Sequence, residues 1–273
     1  MSCRQRLCLV AASAVMALLA QTGSAMAQQN PYLPVPEECP QPQNTIVGTQ
    51  GNDLRGGTPL NDIMYGLGGD DVFESESGDD CVIMGSGNDR ASGSDGDDVM
   101  FGELGSDRLF GNEGVDRLSG GGGNDQLDGG DNNDGIGGHS GSDGIVGGNG
   151  RDRIDGGSGA DRISGGGAGD LVNGGSGNDV IAGGPQNDSL KGGRGDDSVR
   201  GDSGADAVIG SSGNDVLRGG SGKDRFSGGA GKDRILARDD TVDRIFCGPG
   251  RDVVIADVKD QVGVKSCEVV RRK

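Results

Sequence analysis

The chain has no tryptophan, two tyrosines and five phenylalanines in 273 residues. Aromatic side chains supply much of the area in an ordinary core, so a conventional globular interior is excluded. Positive charge is scarce, with 25 Lys and Arg against 43 Asp and Glu and a formal net charge of -18. That balance argues against nucleic acid or an anionic membrane as partner and makes cations the natural counterpart. Long apolar runs are missing too. The longest, Leu7 to Ala20, has 14 residues, short of the roughly 20 needed to span a bilayer.

What precedes and follows that run gives it a different meaning. Arg4 and Arg6 stand before it and Ala25-Met26-Ala27 after it, the layout of a secretory signal peptide with an A-x-A cleavage site. Residues 1-27 are therefore expected to be removed after Ala27, leaving a secreted, extracellular chain. No cysteine at the cleavage site could carry a lipid, and the start lacks a twin-arginine pair. Loss of Arg4 and Arg6 takes the net charge from -18 to -20.

Fifty-nine glycines would by themselves suggest disorder. Their regularity says otherwise. Stepping by nine from Asp53, every landing residue is aspartate: Asp62, Asp71, Asp80, Asp89, Asp98, Asp107, Asp116, Asp125, Asp134, Asp143, Asp152, Asp161, Asp170, Asp179, Asp188, Asp197, Asp206, Asp215, Asp224 and Asp233. Glycine stands two places before the aspartate in 17 of these 21 units, failing at Leu60, Asn132, Ala168 and Gln186. An apolar residue stands two places after it in 20 of 21, the exception being Arg55.

The unit is G-G-x-G-x-D-x-U-x, with U apolar. Glycines permit left-handed backbone angles and close approach, so G-G-x-G-x-D reads as a turn. The remaining x-U-x is one pleat of strand, with U inward and its neighbours outward. Such short units cannot fold singly and must stack. Two of them close one coil of 18 residues, with turns on both edges and a thin apolar seam between two parallel sheets.

These units resemble the RTX, or hemolysin-type, calcium-binding nonapeptide repeat. The resemblance covers residues 48-236 and continues in decayed form beyond. It implies an all-β, right-handed parallel β-roll, a β-solenoid of about ten 18-residue coils. It further implies Ca²⁺ between stacked turns, held by the grid aspartates Asp62 to Asp233 and by backbone carbonyls.

Electrostatics points to the same ion. Aspartates stacked about 4.8 Å apart repel by roughly 1 kcal/mol in water and roughly 3-4 kcal/mol at an effective dielectric of 20. A hard divalent cation reverses that sign, and Ca²⁺ accepts six to eight oxygens in flexible geometry where Mg²⁺ demands an octahedron. His139, the one histidine, replaces a glycine and the cysteines are scattered, so zinc and copper have little support. Ten Ca²⁺ would neutralise -20. Filling is accordingly expected to be graded and weakest beside Leu60, Asn132, Ala168 and Gln186, with affinities of about 10⁻⁴ to 10⁻³ M.

Residues 28-47 are rich in Pro and Gln and read as an extended lead-in. After Asp233 the grid slips by one residue and resumes at Asp243 and Asp252, so 237-273 reads as a degenerate C-terminal cap. Four cysteines follow the leader. Cys247 and Cys267 lie 20 residues apart, close to one coil, and Cys81 stands at an outward strand place that Cys39 can reach. The expected disulfides are Cys39-Cys81 and Cys247-Cys267.

Catalysis finds no support. One histidine cannot form H-E-x-x-H, and no serine has glycine two before and two after it. The stretch GGAGKD, Gly228 to Asp233, lacks the Ser or Thr of a phosphate loop after Lys232 and has no room for a following helix. The expectation is a non-enzymatic extracellular calcium-binding protein. The alternative is a calcium-dependent adhesin or a matrix- or surface-binding module with an unidentified partner.

Overall fold

A nine-residue unit with one inward apolar place and a glycine-rich reversal can only bury that place against another copy of itself. The computed structural model of the chain, which describes residues 36-263, 267 and 269-272, shows how. The described residues form 26 strands, from β1 (Asn44–Val47) to β26 (Val269–Arg272), and no helix. Odd-numbered strands make one 13-stranded sheet and even-numbered strands the other. All pairings are parallel, and each partner lies one coil away: Leu109 stacks on Leu127, Ile145 and Ile163 in one sheet, Leu118 on Ile136 and Ile154 in the other.

The seam between the sheets is the core. Every U residue from Met64 to Ile235 is 3% exposed or less, and together they form one continuous cluster. The strands are longer than the three-residue pleat read from the sequence, typically six residues, as in Arg108–Glu113. In most units a glycine two places after U provides the second inward place, as Gly111 does there. It is glycine because a methyl on it would fall on Asp116 Oδ2 and the Gly129 carbonyl oxygen.

The stack also exceeds the expected ten coils. Asn44 pairs in register with Asp62 at one end, and Arg234, Val253 and Val269 stack at the other. A one-residue insertion is absorbed in the turn at 238-243, so Phe226 pairs with Ile245 while the ladder stays intact. No helix among the described residues is long and apolar enough to cross a membrane.

Both disulfides are present, Cys39–Cys81 with a Cα–Cα distance of 5.4 Å and Cys247–Cys267 with 5.2 Å. Cys81 does point away from the seam, yet it is only 1% exposed. The lead-in folds over it, and Cys39, Ile63, Tyr65 and Cys81 make a second small core, with Ile83 and Phe101 packed beside it. The first coils are thus buried on both faces of one sheet.

Turn glycines are the fold's narrowest constraint. Gly105 has φ +138°, and a methyl on it would overlap the Gly87 carbonyl oxygen of the preceding coil. Gly56, by contrast, has open space around it. Gly105→Ala is expected to destabilise the folded chain by at least about 1-3 kcal/mol, and Gly56→Ala to change it by less than about 0.5 kcal/mol. Urea or thermal unfolding of the two variants checks this; equal effects would contradict the close-stacking account.

Candidate metal centre

Each turn hands its aspartate to the interior. From Asp62 to Asp233 every grid aspartate is 3% exposed or less. One oxygen of each carboxylate is structural. The backbone N–H of Asp107 donates to Oδ1 of Asp125 at 2.8 Å, and that of Asp125 to Oδ1 of Asp143 at 2.8 Å. The other edge repeats this, Asp116 to Asp134 at 2.8 Å and Asp134 to Asp152 at 2.9 Å. Two continuous aspartate ladders therefore run along the two edges.

The other oxygen has no such partner. Oδ2 of the nineteen aspartates from Asp71 to Asp233 is buried without a hydrogen bond. What it faces is another acceptor. A methyl on Gly102 would meet both Asp107 Oδ2 and the Gly120 carbonyl oxygen, and the same arrangement recurs at Gly129 with Asp134 and Gly147, and at Gly210 with Asp215 and Gly228. Carboxylate and carbonyl thus lie side by side in many coils with no donor between them; before Asp80 the inward place is Ser75 instead, and its hydroxyl donates to the Gly93 carbonyl at 2.6 Å. An unsatisfied buried charge is costly, so the pair calls for a proton or a cation.

The carboxylates record that cost. Burial pushes Asp98 up to about 8, opposed by the N–H of Asp80 and reinforced by the charges of Asp116 and Asp80. Burial likewise lifts Asp107, Asp134, Asp188 and Asp197 to about 7, against the hydrogen bond each accepts from the preceding coil. Asp80, Asp89, Asp116, Asp170, Asp215 and Asp224 rise to about 6 for the same reason.

This oxygen set fits a hard cation such as Ca²⁺. No group of three or more His, Cys, Asp or Glu side chains converges among the described residues. An ion held here would draw most of its ligands from turn carbonyls and water, and carboxylate oxygens such as Oδ2 of Asp107 or Asp134 would supply the charge. His139 lies at an exposed glycine place with φ 71°. The arginines following grid aspartates, among them Arg108, Arg117, Arg153 and Arg162, face solvent, and Arg90 stacks 4.9 Å from the centroid of Phe110.

Turns lacking the usual glycine keep their shape. Asn132, Ala168 and Gln186 adopt φ of 79°, 69° and 77°, and the ladder passes unbroken through Asp134, Asp170 and Asp188 at 2.8-2.9 Å. Their φ is smaller than the 131-138° of glycine at the equivalent places Gly105, Gly114 and Gly123, yet the aspartate ladder is unchanged.

The ladder ends are built differently. Thr58 donates its N–H at 2.6 Å and its hydroxyl at 3.1 Å to Asp62 Oδ2. Thr49 does the same for Asp53 at 2.5 and 2.9 Å. At the far end Asp243 and Asp252 extend the ladders. Asp260, which the nine-residue grid misses, follows at 3.1 Å, and its Oδ2 accepts the Asp257 N–H at 2.6 Å. Asp62, a metal candidate from spacing alone, thus differs from the nineteen beyond it.

A second, exposed ladder was also missed. The residue before each grid aspartate is often Asn, Asp or Ser, and its side chain accepts the N–H one coil later: Asn88 N–H to Asp70 at 2.8 Å, Ser142 N–H to Asn124 at 2.7 Å, Asn214 N–H to Asp196 at 2.7 Å. Its polarity is opposite to that of the inner ladder. The recurrence of small polar acceptors at that place was the readable signal. Ala160, Val115 and Gly169 interrupt it because they carry no acceptor.

Comparison with known proteins agrees with this geometry. The family described as RTX calcium-binding nonapeptide repeat (4 copies) matches in overlapping blocks, 56–91, 83–118, 110–145, 137–172, 146–181, 173–208, 200–235 and 209–257. No curated protein matches the chain. The blocks span most of the chain and coincide with the two aspartate ladders. The stacked turns are those of a calcium-binding structural module, and the chain belongs to the RTX calcium-binding nonapeptide repeat family.

Proposed function

We propose that this chain is an extracellular, non-enzymatic calcium-binding rod whose β-roll folds on Ca²⁺. The observation that carries the reading is the set of nineteen buried Oδ2 atoms from Asp71 to Asp233 that lack a hydrogen bond, many of them, such as those of Asp107, Asp134 and Asp215, lying beside a main-chain carbonyl of the next coil. The residues proposed to supply negative oxygens are the grid aspartates, with Asp62 the weakest member because Thr58 already occupies its Oδ2. Between the ladders the apolar seam is one side chain wide per unit, so it leaves the acidic turns without compensation until the ion arrives. RTX repeats are typical of secreted proteins and two disulfides fit an oxidising compartment. The expected signal peptide, 1-27, lies outside the described residues.

Neutralisation of the -20 left after leader removal sets filling near ten Ca²⁺, held in the affinity range of extracellular modules. In a chelated buffer at pH 7.5 the leaderless chain is expected to show a random-coil circular dichroism spectrum and rapid tryptic cleavage. About 1-10 mM Ca²⁺ restores the β spectrum, and equimolar Mg²⁺ does not. A chelated chain that keeps its β spectrum and melts sharply would overturn the reading.

A substitution separates charge from shape. Asp116→Asn with Asp134→Asn keeps the Oδ1 acceptors and places an amide donor opposite the carbonyls. The pair is expected to stabilise the metal-free roll by about 1-3 kcal/mol while raising the calcium concentration needed at half-saturation. Calcium titrations of the variant and the parent read both effects; loss of stability in both states would contradict the role given to Oδ2.

A further inference from the structure

The chain-wide negative charge conceals an asymmetry along the roll. Residues 28-190 hold 7 Lys and Arg against 29 Asp and Glu, whereas residues 191-273 hold 16 against 14. Eight of those fourteen acids, Asp197 to Asp260, are ladder aspartates no more than 5% exposed. Every Lys and Arg from Lys191 to Lys259 is exposed. The surface of the C-terminal third is therefore cationic, opposite in sign to the rest.

The cations are also stacked on one another. Arg200 pairs in register with Arg218, and Arg225 with Arg244. Like charges at adjacent ladder places destabilise a sheet, and among the described residues of this region the one ion pair is Arg200–Asp202 at 2.8 Å. Folding gains nothing from these pairs. At one corner Lys223, Arg225, Val242 and Arg244 line an open depression, with the buried ladder members Asp206 and Asp224 in its floor. Phe246, on the same strand as Arg244, is 61% exposed, and Val258, in the turn that precedes Gln261, is 72% exposed.

We propose that this corner docks the roll on an anionic lipid surface. Lys223, Arg225 and Arg244 meet phosphate-bearing headgroups, and Phe246 and Val258 enter the headgroup boundary without crossing it. Cations combined with exposed apolar side chains give this interfacial mode. An acidic polysaccharide would use the arginines but not Phe246 or Val258. A nucleic acid would call for a row of stacking aromatics, and Phe246 stands alone among the outward places of Arg225–Ala230, Arg234–Ala237 and Arg244–Phe246. The asymmetry is a property of the sequence and does not rest on which turns hold calcium.

The test is flotation of the calcium-loaded leaderless chain, its β spectrum verified first, with phosphatidylglycerol-containing and pure phosphatidylcholine vesicles at about 0.1 M salt and about 1 mM Ca²⁺. Binding to the anionic vesicles is expected to exceed that to neutral ones by about ten-fold and to fall as salt is raised. Arg225→Gln with Arg244→Gln should remove most of it, Phe246→Ser should weaken it several-fold, and Arg90→Gln with Arg108→Gln at the acidic end should leave it unchanged. Equal binding to both vesicles, no binding, retention by an acidic polysaccharide alone, or anionic binding that survives loss of Arg225 and Arg244, as calcium bridging would give, overturns the proposal.

Discussion

The structure depends on one arrangement repeated along two edges: a buried carboxylate oxygen without a hydrogen bond, in many turns beside a main-chain carbonyl of the next coil. Oδ1 of each aspartate secures the stack by accepting the N–H of the previous coil. Oδ2 is left facing a second acceptor. That pair is repulsive while the carboxylate is charged and becomes cohesive when a proton or a cation lies in it. Glycine at the inward place follows, because Oδ2 fills the space a side chain would need.

The two ends obey another rule. Threonine N–H and hydroxyl groups satisfy Asp53 and Asp62, and the Asp257 N–H satisfies Asp260. Asp239 accepts the Gly222 N–H at 2.7 Å where inner turns use a backbone carbonyl, and Thr241 donates to the Gly222 carbonyl. Disulfides lie at both ends, and at the N-terminal end Ile63 and Tyr65 add a second small core. Terminal coils have a neighbour on one side only, so ordinary hydrogen bonds and covalent links take over where the stacked oxygens cannot repeat.

Much of this was legible in the sequence because the repeat fixes spacing, and spacing fixes the stack. The aspartate column and the inward U residues from Met64 to Ile235 could be read from residue numbers alone, and the 20-residue spacing of Cys247 and Cys267 favoured their pairing, whereas Cys39–Cys81 was one preference among three possible pairings. Other features escaped that reading for physical reasons. Hydrogen-bond polarity cannot be inferred from period, so the division of labour between Oδ1 and Oδ2 and the outer Asn, Asp and Ser ladder appeared only with coordinates. Asp260 lies off the nine-residue grid because the coil there shortens to 17 residues. The tolerance of Asn132, Ala168 and Gln186 goes with φ of 79°, 69° and 77° where Gly105, Gly123 and Gly141 have 138°, 131° and 134°, a difference that composition does not show.

The central claim is that these oxygens require a proton or a cation, and pH tests it without any metal. Burial lifts Asp80, Asp134 and Asp98 to about 6, 7 and 8 and raises other turn carboxylates such as Asp125 and Asp179, above the usual carboxylate value near 3.9 of an unfolded chain. The folded roll then holds more protons than the unfolded chain between those limits. That stabilisation is complete below about pH 4 and lost as pH rises through 6 to 8. The decisive measurement is circular dichroism and trypsin resistance of the metal-free leaderless chain from pH 4 to 8. A β spectrum at the acid end that vanishes across pH 6 to 8 is the expected result; a metal-free chain as folded at pH 8 as at pH 4.5 would contradict it.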